Sequence, residues 1–84
     1  LRLEFSKART AADASASRIR LAGTTVVDAS RALEISELRY RSGEAPVLEV
    51  VDARTTLAAA RTAFFAAIFD YHVALDRLRQ AAGE

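Results

Sequence analysis

The stretch "RYRSGEAPVLEVVDA", residues 39–53, contains the only proline and one of the three glycines in this chain of 84 residues. Gly43 suits the left-handed position that follows the end of a helix, and Pro46 suits the first turn of the next helix. Two arginines precede this break and two acids follow it, which are the charges that stabilise a helix end and a helix start. The stretch therefore predicts a tight turn between two helices.

The composition favours helix throughout, because 19 residues are alanine while glycine and proline together number four. The chain has no cysteine and a net charge of +1 with its basic residues spread out, so it lacks a disulfide framework and the basic stripe of a nucleic-acid binder. Its most apolar region, residues 57–75, includes Arg61, Asp70 and His72 and is a poor candidate for a membrane span. No signal peptide is recognised, and a start without Met, in mid-pattern, suggests a fragment of a larger protein.

Apolar and small residues recur at alternating spacings of three and four in both halves of the chain, which is the heptad pattern of packed helices. The first stripe consists of Phe5, Ala8, Ala12, Ser15, Ile19, Ala22, Val26, Ala29, Leu33, Ser36 and Tyr40. The second stripe consists of Val50, Ala53, Leu57, Ala60, Phe64, Ala67, Tyr71, Ala74, Leu78 and Ala81. Except at Ala12, large residues alternate with Ala or Ser, which permits close approach of the helices. The pattern predicts an all-α coiled-coil hairpin of two long antiparallel helices: helix about 2–41, turn 42–46 and helix about 47–82.

Each predicted helix carries a second, weaker apolar stripe as well. In the second helix this stripe consists of Val47, Val51, Ala58, Phe65, Ile68, Leu75 and Ala82. Two stripes on one helix indicate neighbours on two sides, so the hairpin alone should leave apolar surface exposed. The aromatic belt of Phe64, Phe65, Phe69 and Tyr71 is interpreted as core. Gly23 is the weak point of the first helix, but the stripe keeps its phase there, which predicts one continuous helix.

Residues with catalytic chemistry are few. Glu49 and Asp52 have a spacing that suits a metal or an acid/base pair, but acids at the start of a helix are ordinary partners of its dipole. His72 is the only histidine and has no cluster of other ligands around it in the sequence. Since no phosphate loop, nucleophile elbow or zinc spacing is present either, the sequence predicts no catalytic, cofactor-binding or metal residue and no cofactor.

Residues 32–83 resemble the C-terminal helical hairpin of TolC-family outer membrane efflux proteins, while residues 1–31 fit only as the alanine-rich upstream helix. The positions that match the family's pattern are Tyr40, Gly43, Leu48, Glu49, Val50, Asp52, Ala53, Leu57, Ala60, Asp70, Tyr71, Leu78, Ala81 and Gly83. The resemblance implies a homotrimeric passive exit duct for multidrug efflux or type I secretion. This chain would be a periplasmic segment of its α-helical barrel, and a β-barrel part outside these residues would contact the outer membrane. The implied partners are a periplasmic adaptor and an inner membrane pump.

The resemblance also implies roles for the turn, which would be the periplasmic tip of the duct. The gate candidates are Tyr40, Gly43, Glu49 and Asp52, with the two acids facing the lumen. The adaptor-docking candidates are Ser42, Gly43, Glu44, Ala45, Pro46 and Leu48. Pro46 replaces a usual Ser or Thr, which removes a capping box with Glu49, and Ala45 lies where a basic residue can occur. The alternative is a structural coiled-coil hairpin, such as that of the adaptor itself; the heptads also leave the interhelix register open by about three residues.

Overall fold

The computed structural model of the chain describes residues 2–83, so residues 1 and 84 of the predicted hairpin lie outside it. Helix α1 spans Arg2–Arg41 and helix α2 spans Val47–Ala81. The molecule measures 63 × 13 × 13 Å, and a helix of 40 residues is about 60 Å long. The two helices therefore run side by side and antiparallel over nearly their whole length, which confirms the all-α hairpin.

The contact between the helices, called the seam below, is built from small side chains. Most of its buried residues are alanine or serine: Ala12, Ser15, Ala29, Ser36, Ala60, Ala67 and Ala74. Leu57 joins Ala29 and Ala60 in one buried cluster, with Val26 and Leu33 packed against it. The two predicted stripes therefore do form the seam. The exceptions are the first and last residues of the first stripe, Phe5 and Tyr40, which are more than a third exposed.

Two ion pairs across the seam define the register that the heptads left open. Arg39 on α1 pairs with Glu49 on α2, and Arg54 on α2 pairs with Glu37 on α1. The same register brings Phe64 over Gly23, where a Cβ atom built on the glycine would lie 3.5 Å from Phe64 Cε1. Helix α1 continues through Gly23 without interruption, as predicted.

The aromatic belt is divided between two environments. Phe64 and Tyr71 are half-buried in the seam, whereas Phe65 is 66% exposed and Phe69 is 68% exposed. The interpretation of all four as core is therefore wrong for Phe65 and Phe69 within this hairpin. The reason is geometric, because each residue turns about 100° along a helix, so that the neighbour of a seam residue points away from the seam.

Both helices carry exposed apolar side chains away from the seam, as the second stripe predicted. The large ones are Leu3, Leu21, Val27, Ile35, Leu38, Val47, Leu48, Val51, Phe65 and Phe69. Within residues 2–83, neither helix has a stretch apolar enough to cross a membrane. The hairpin thus presents water with more apolar surface than its own seam can cover.

Candidate functional site at the hairpin tip

The turn begins with a glycine-based helix ending. Gly43 has a φ of +83°, the left-handed conformation that was predicted for it. The Gly43 N–H donates to the Tyr40 carbonyl at 3.1 Å, and the Glu44 N–H donates to the Arg39 carbonyl at 2.8 Å. These two bonds are the Schellman pattern, which satisfies the last carbonyls of a helix and reverses the chain sharply. The conformation of Gly43 is thus explained by the geometry of the turn.

The second half of the turn differs in detail from the expectation. Pro46 lies at the N-cap with φ −73° and ψ 159°, one position before the first turn of α2, and makes no side-chain cap bond. The Glu49 N–H donates instead to the Pro46 carbonyl at 3.1 Å. The predicted loss of the Ser/Thr cap is therefore confirmed. Ala45 is buried, and its N–H donates to the Arg39 carbonyl at 3.3 Å, so this position serves to pack the turn.

An ion pair lies directly behind the turn. Arg39 Nη1 donates to Glu49 Oε1 at 2.9 Å, and the other carboxylate oxygen, Oε2, is buried without a hydrogen-bond partner in the described part of the chain. The sequence had suggested a dipole role for Arg39 and, for Glu49, a dipole or gate role, but no pairing between the two. The sequence does contain a signal for this pair, because Arg39 and Glu49 are each five residues from Glu44 in the middle of the turn. Residues placed equally about a tight turn face each other in an antiparallel hairpin.

The structure does not bring the other gate candidates into this network. Asp52 is exposed and forms no ion pair or hydrogen bond with any residue between 2 and 83. Tyr40 is half-exposed, and its hydroxyl has no partner in the same range. The remaining docking candidates, Ser42, Glu44, Pro46 and Leu48, are exposed at the tip. The tip therefore presents one paired acid, Glu49, two exposed acids, Glu44 and Asp52, and a rim of small, polar and apolar groups.

Other chemistry is scarce in the part of the chain that the structure describes. No group of three or more His, Cys, Asp or Glu side chains is arranged to hold a metal ion there. A groove of about 680 Å³ lies at the opposite end of the hairpin, between Ser15 and Arg18 on α1 and Asp70 and Arg77 on α2.

Comparison with known proteins now adds to this geometry. The sequence model of the family described as "Outer membrane efflux protein" matches residues 1–84, the full length of this chain. The chain belongs to the outer membrane efflux protein family. The resemblance found on residues 32–83 is thereby confirmed and extended to the upstream helix. No curated protein and no solved structure matches the chain significantly.

Membership in the outer membrane efflux protein family fixes the broad role. The family consists of transport proteins of the outer membrane, so this hairpin is part of an export channel system. The long two-helix fold is compatible with that role.

Proposed function

We propose that this hairpin is a periplasmic tunnel segment of an outer membrane efflux or type I secretion channel. It works as a passive, non-enzymatic duct in a homotrimer, and its tip docks on a periplasmic adaptor that links it to an inner membrane pump. The observation that carries the proposal is a hairpin 63 Å long with exposed apolar side chains on both helices. A wall of helices packed side by side requires that type of surface.

Threonines on α2 support the same interpretation. Thr55 Oγ1 donates to the Val51 carbonyl at 3.1 Å, and Thr62 Oγ1 donates to the Ala58 carbonyl at 3.1 Å. These two hydroxyls are hydrogen-bonded within their own helix. Leu48 lies seven residues before Thr55, and Phe69 lies seven residues after Thr62. The four residues form a continuous stripe along α2, which a neighbouring helix can cover without leaving these hydroxyls unpaired.

The adaptor-type hairpin has the same two-helix geometry, so the fold does not separate it from a channel segment. The match of the outer membrane efflux family to all 84 residues favours the channel. An adaptor also carries its hairpin between the halves of a lipoyl-like β domain, which gives a further difference to look for in the sequence of the parent gene.

The tunnel assignment is tested by measuring how fast single cysteines react in the assembled protein. The chain has no native cysteine, so Phe65→Cys in the full-length parent introduces the only thiol in this segment. We expect a maleimide to label this cysteine slowly in outer membranes and rapidly after denaturation, because neighbouring helices cover Phe65 in the barrel wall. Mass spectrometry or a gel shift measures both rates.

The matched control is Asp76→Cys, because Asp76 lies on the same helix with a side chain 69% exposed. A polar side chain of this kind is expected to stay in contact with water, so the cysteine there should react quickly in both states. Equal labelling of the two positions in intact membranes would contradict the packing of Phe65 in a wall.

The gate is tested at the two acids of the tip. If Glu49 and Asp52 line the aperture, they concentrate negative potential there and favour cations. We expect Glu49→Gln combined with Asp52→Asn to lower the cation preference and the cation block of the full-length channel in planar bilayers. A double variant with unchanged conductance, cation block and selectivity would show that the acids do not form the gate.

A further inference from the structure

The two acids of the tip differ in their surroundings, although the sequence offers them as equivalents. We propose that Arg39 holds Glu49 in an ion pair within the hairpin, so that Asp52, and not Glu49, is the acid at the start of α2 that remains available to a cation. Arg39 thereby becomes a positioning residue that decides which acid is available. The consequence for ion selection rests on the proposed channel function, whereas the ion pair itself can be tested without it.

One carboxylate oxygen of Glu49 is paired and the other is covered. Oε1 accepts from Arg39 Nη1 at 2.9 Å, and Oε2 is buried. A cation that approached this carboxylate would have to displace the guanidinium or enter the covered side of the group. Asp52, one turn further along α2, is exposed and has neither restriction among the residues described.

Electrostatics also separates Glu49 from Asp52 in its attraction for a cation. A carboxylate beside a guanidinium forms a pair with no net charge, whose potential falls off faster with distance than that of a single charge. Asp52 keeps its full charge toward the solvent. The side chains of Arg39 and Glu49 are 45% and 36% exposed, so the pair contributes little to stability. Its effect is therefore mainly on where the carboxylate of Glu49 is held.

Carboxylate labelling tests the proposal on this chain directly. A water-soluble carbodiimide with an amine nucleophile converts accessible carboxylates to amides, and peptide mass spectrometry reads each site separately. We expect Asp52 to react faster than Glu49 in the helical chain, as checked by circular dichroism. Replacing Arg39 by Ala should raise the rate at Glu49 several-fold and leave the rate at Asp52 unchanged.

Arg41→Ala is the matched control. Arg41 lies in the same last turn of α1 and has no ion-pair partner among residues 2–83. Its removal changes the net charge of the tip equally, so it should leave the ratio of the two labelling rates as it is. Equal rates at Glu49 and Asp52 in the native chain would overturn the proposal, and so would equal responses to Arg39→Ala and Arg41→Ala.

Single-channel recording of the full-length parent provides the second arm. We expect Asp52→Asn to lower the cation-to-anion permeability ratio more than Glu49→Gln does. In an Arg39→Ala background, Glu49→Gln should also lower this permeability ratio, because the Glu49 carboxylate is then no longer held in the ion pair. Equal effects of the two acid substitutions with Arg39 intact would overturn the proposal. If neither substitution changes selectivity, the gate in the proposed function fails, while the labelling result still decides the ion pair.

Discussion

The two ends of the hairpin are held together in different ways. At the tip, the Schellman turn and the cross-helix pairs Arg39–Glu49 and Glu37–Arg54 join α1 to α2. At the open end, Arg18 donates to Ser15 Oγ on its own helix at 2.7 Å, and it forms no ion pair across the groove within the described residues. The register is thus set at the tip and carried toward the open end mainly by the packing of small residues.

The largest effect is expected from Leu57→Ala in the tip half. Leu57 is buried beside Ala29 and Ala60, and its truncation leaves a cavity that these methyl groups cannot fill. We expect a loss of about 2–5 kcal/mol in the free energy of unfolding. Urea denaturation followed by circular dichroism measures this loss.

Leu78→Ala is the counterpart at the open end, at the same heptad position. Because Leu78 is only half-buried, we expect roughly half the loss of Leu57→Ala. If the two variants lose equal stability, the open end is packed as firmly as the tip half, and the contrast between the ends is wrong.

Gly43→Ala tests the closure of the tip. The left-handed φ of +83° strains any residue with a Cβ, although no atom lies within 4 Å of the added carbon. We expect a loss of about 1–2 kcal/mol, which arises from the backbone alone. An unchanged unfolding midpoint would mean that the turn relaxes to another conformation and does not fix the register.

Gly23→Ala is the matched glycine substitution in the middle of the seam, and the opposite sign is expected. Gly23 has helical geometry, and the new Cβ would meet Phe64 Cε1 at 3.5 Å, an ordinary van der Waals contact. Replacing a glycine inside a helix by alanine should stabilise the chain by up to about 1 kcal/mol. Thermal unfolding checks the sign; a destabilised variant would show that Phe64 cannot yield at this contact.

The smallest effect is expected from Arg54→Gln, which removes the second ion pair of the tip. The Arg54 and Glu37 side chains are 65% and 34% exposed, and the atoms lie 3.5 Å apart. We expect a change below about 0.5 kcal/mol, reduced further at high salt. Salt titrations of the unfolding midpoint measure it, and a loss above about 1 kcal/mol would show that ion pairs, more than the turn, hold the tip together.

The sequence predicted the features that depend on local chemistry. Gly43 marked the helix end because few other residues adopt a left-handed conformation, and the heptads located the seam because their spacing matches one helix face. The heptads could not predict the interhelix register, since a shift of about three residues gives similar apolar contacts. The register that forms places Arg39 beside Glu49, two residues that belong to different helices and become neighbours only when the chain folds.

The candidate site was predicted less completely, for a related reason. Glu49 and Asp52 look alike in the sequence, because each is an acid near the start of α2. Only the position of α1 distinguishes them, by placing Arg39 beside one and leaving the other in water. Phe65 and Phe69 were misplaced in the same way, because an apolar side chain does not reveal whether its partner lies in this hairpin or in a neighbouring chain.

The seam of alanine and serine also has an entropic consequence. An alanine side chain has no rotamers to lose when it is buried, whereas a longer side chain such as leucine gives up about 0.5–1 kcal/mol of conformational freedom. Closing the two helices onto each other therefore costs less side-chain entropy at the alanine positions than at Leu57 or Phe64. The exposed Phe65 and Phe69 would lose their own rotamer freedom only if another helix covered them.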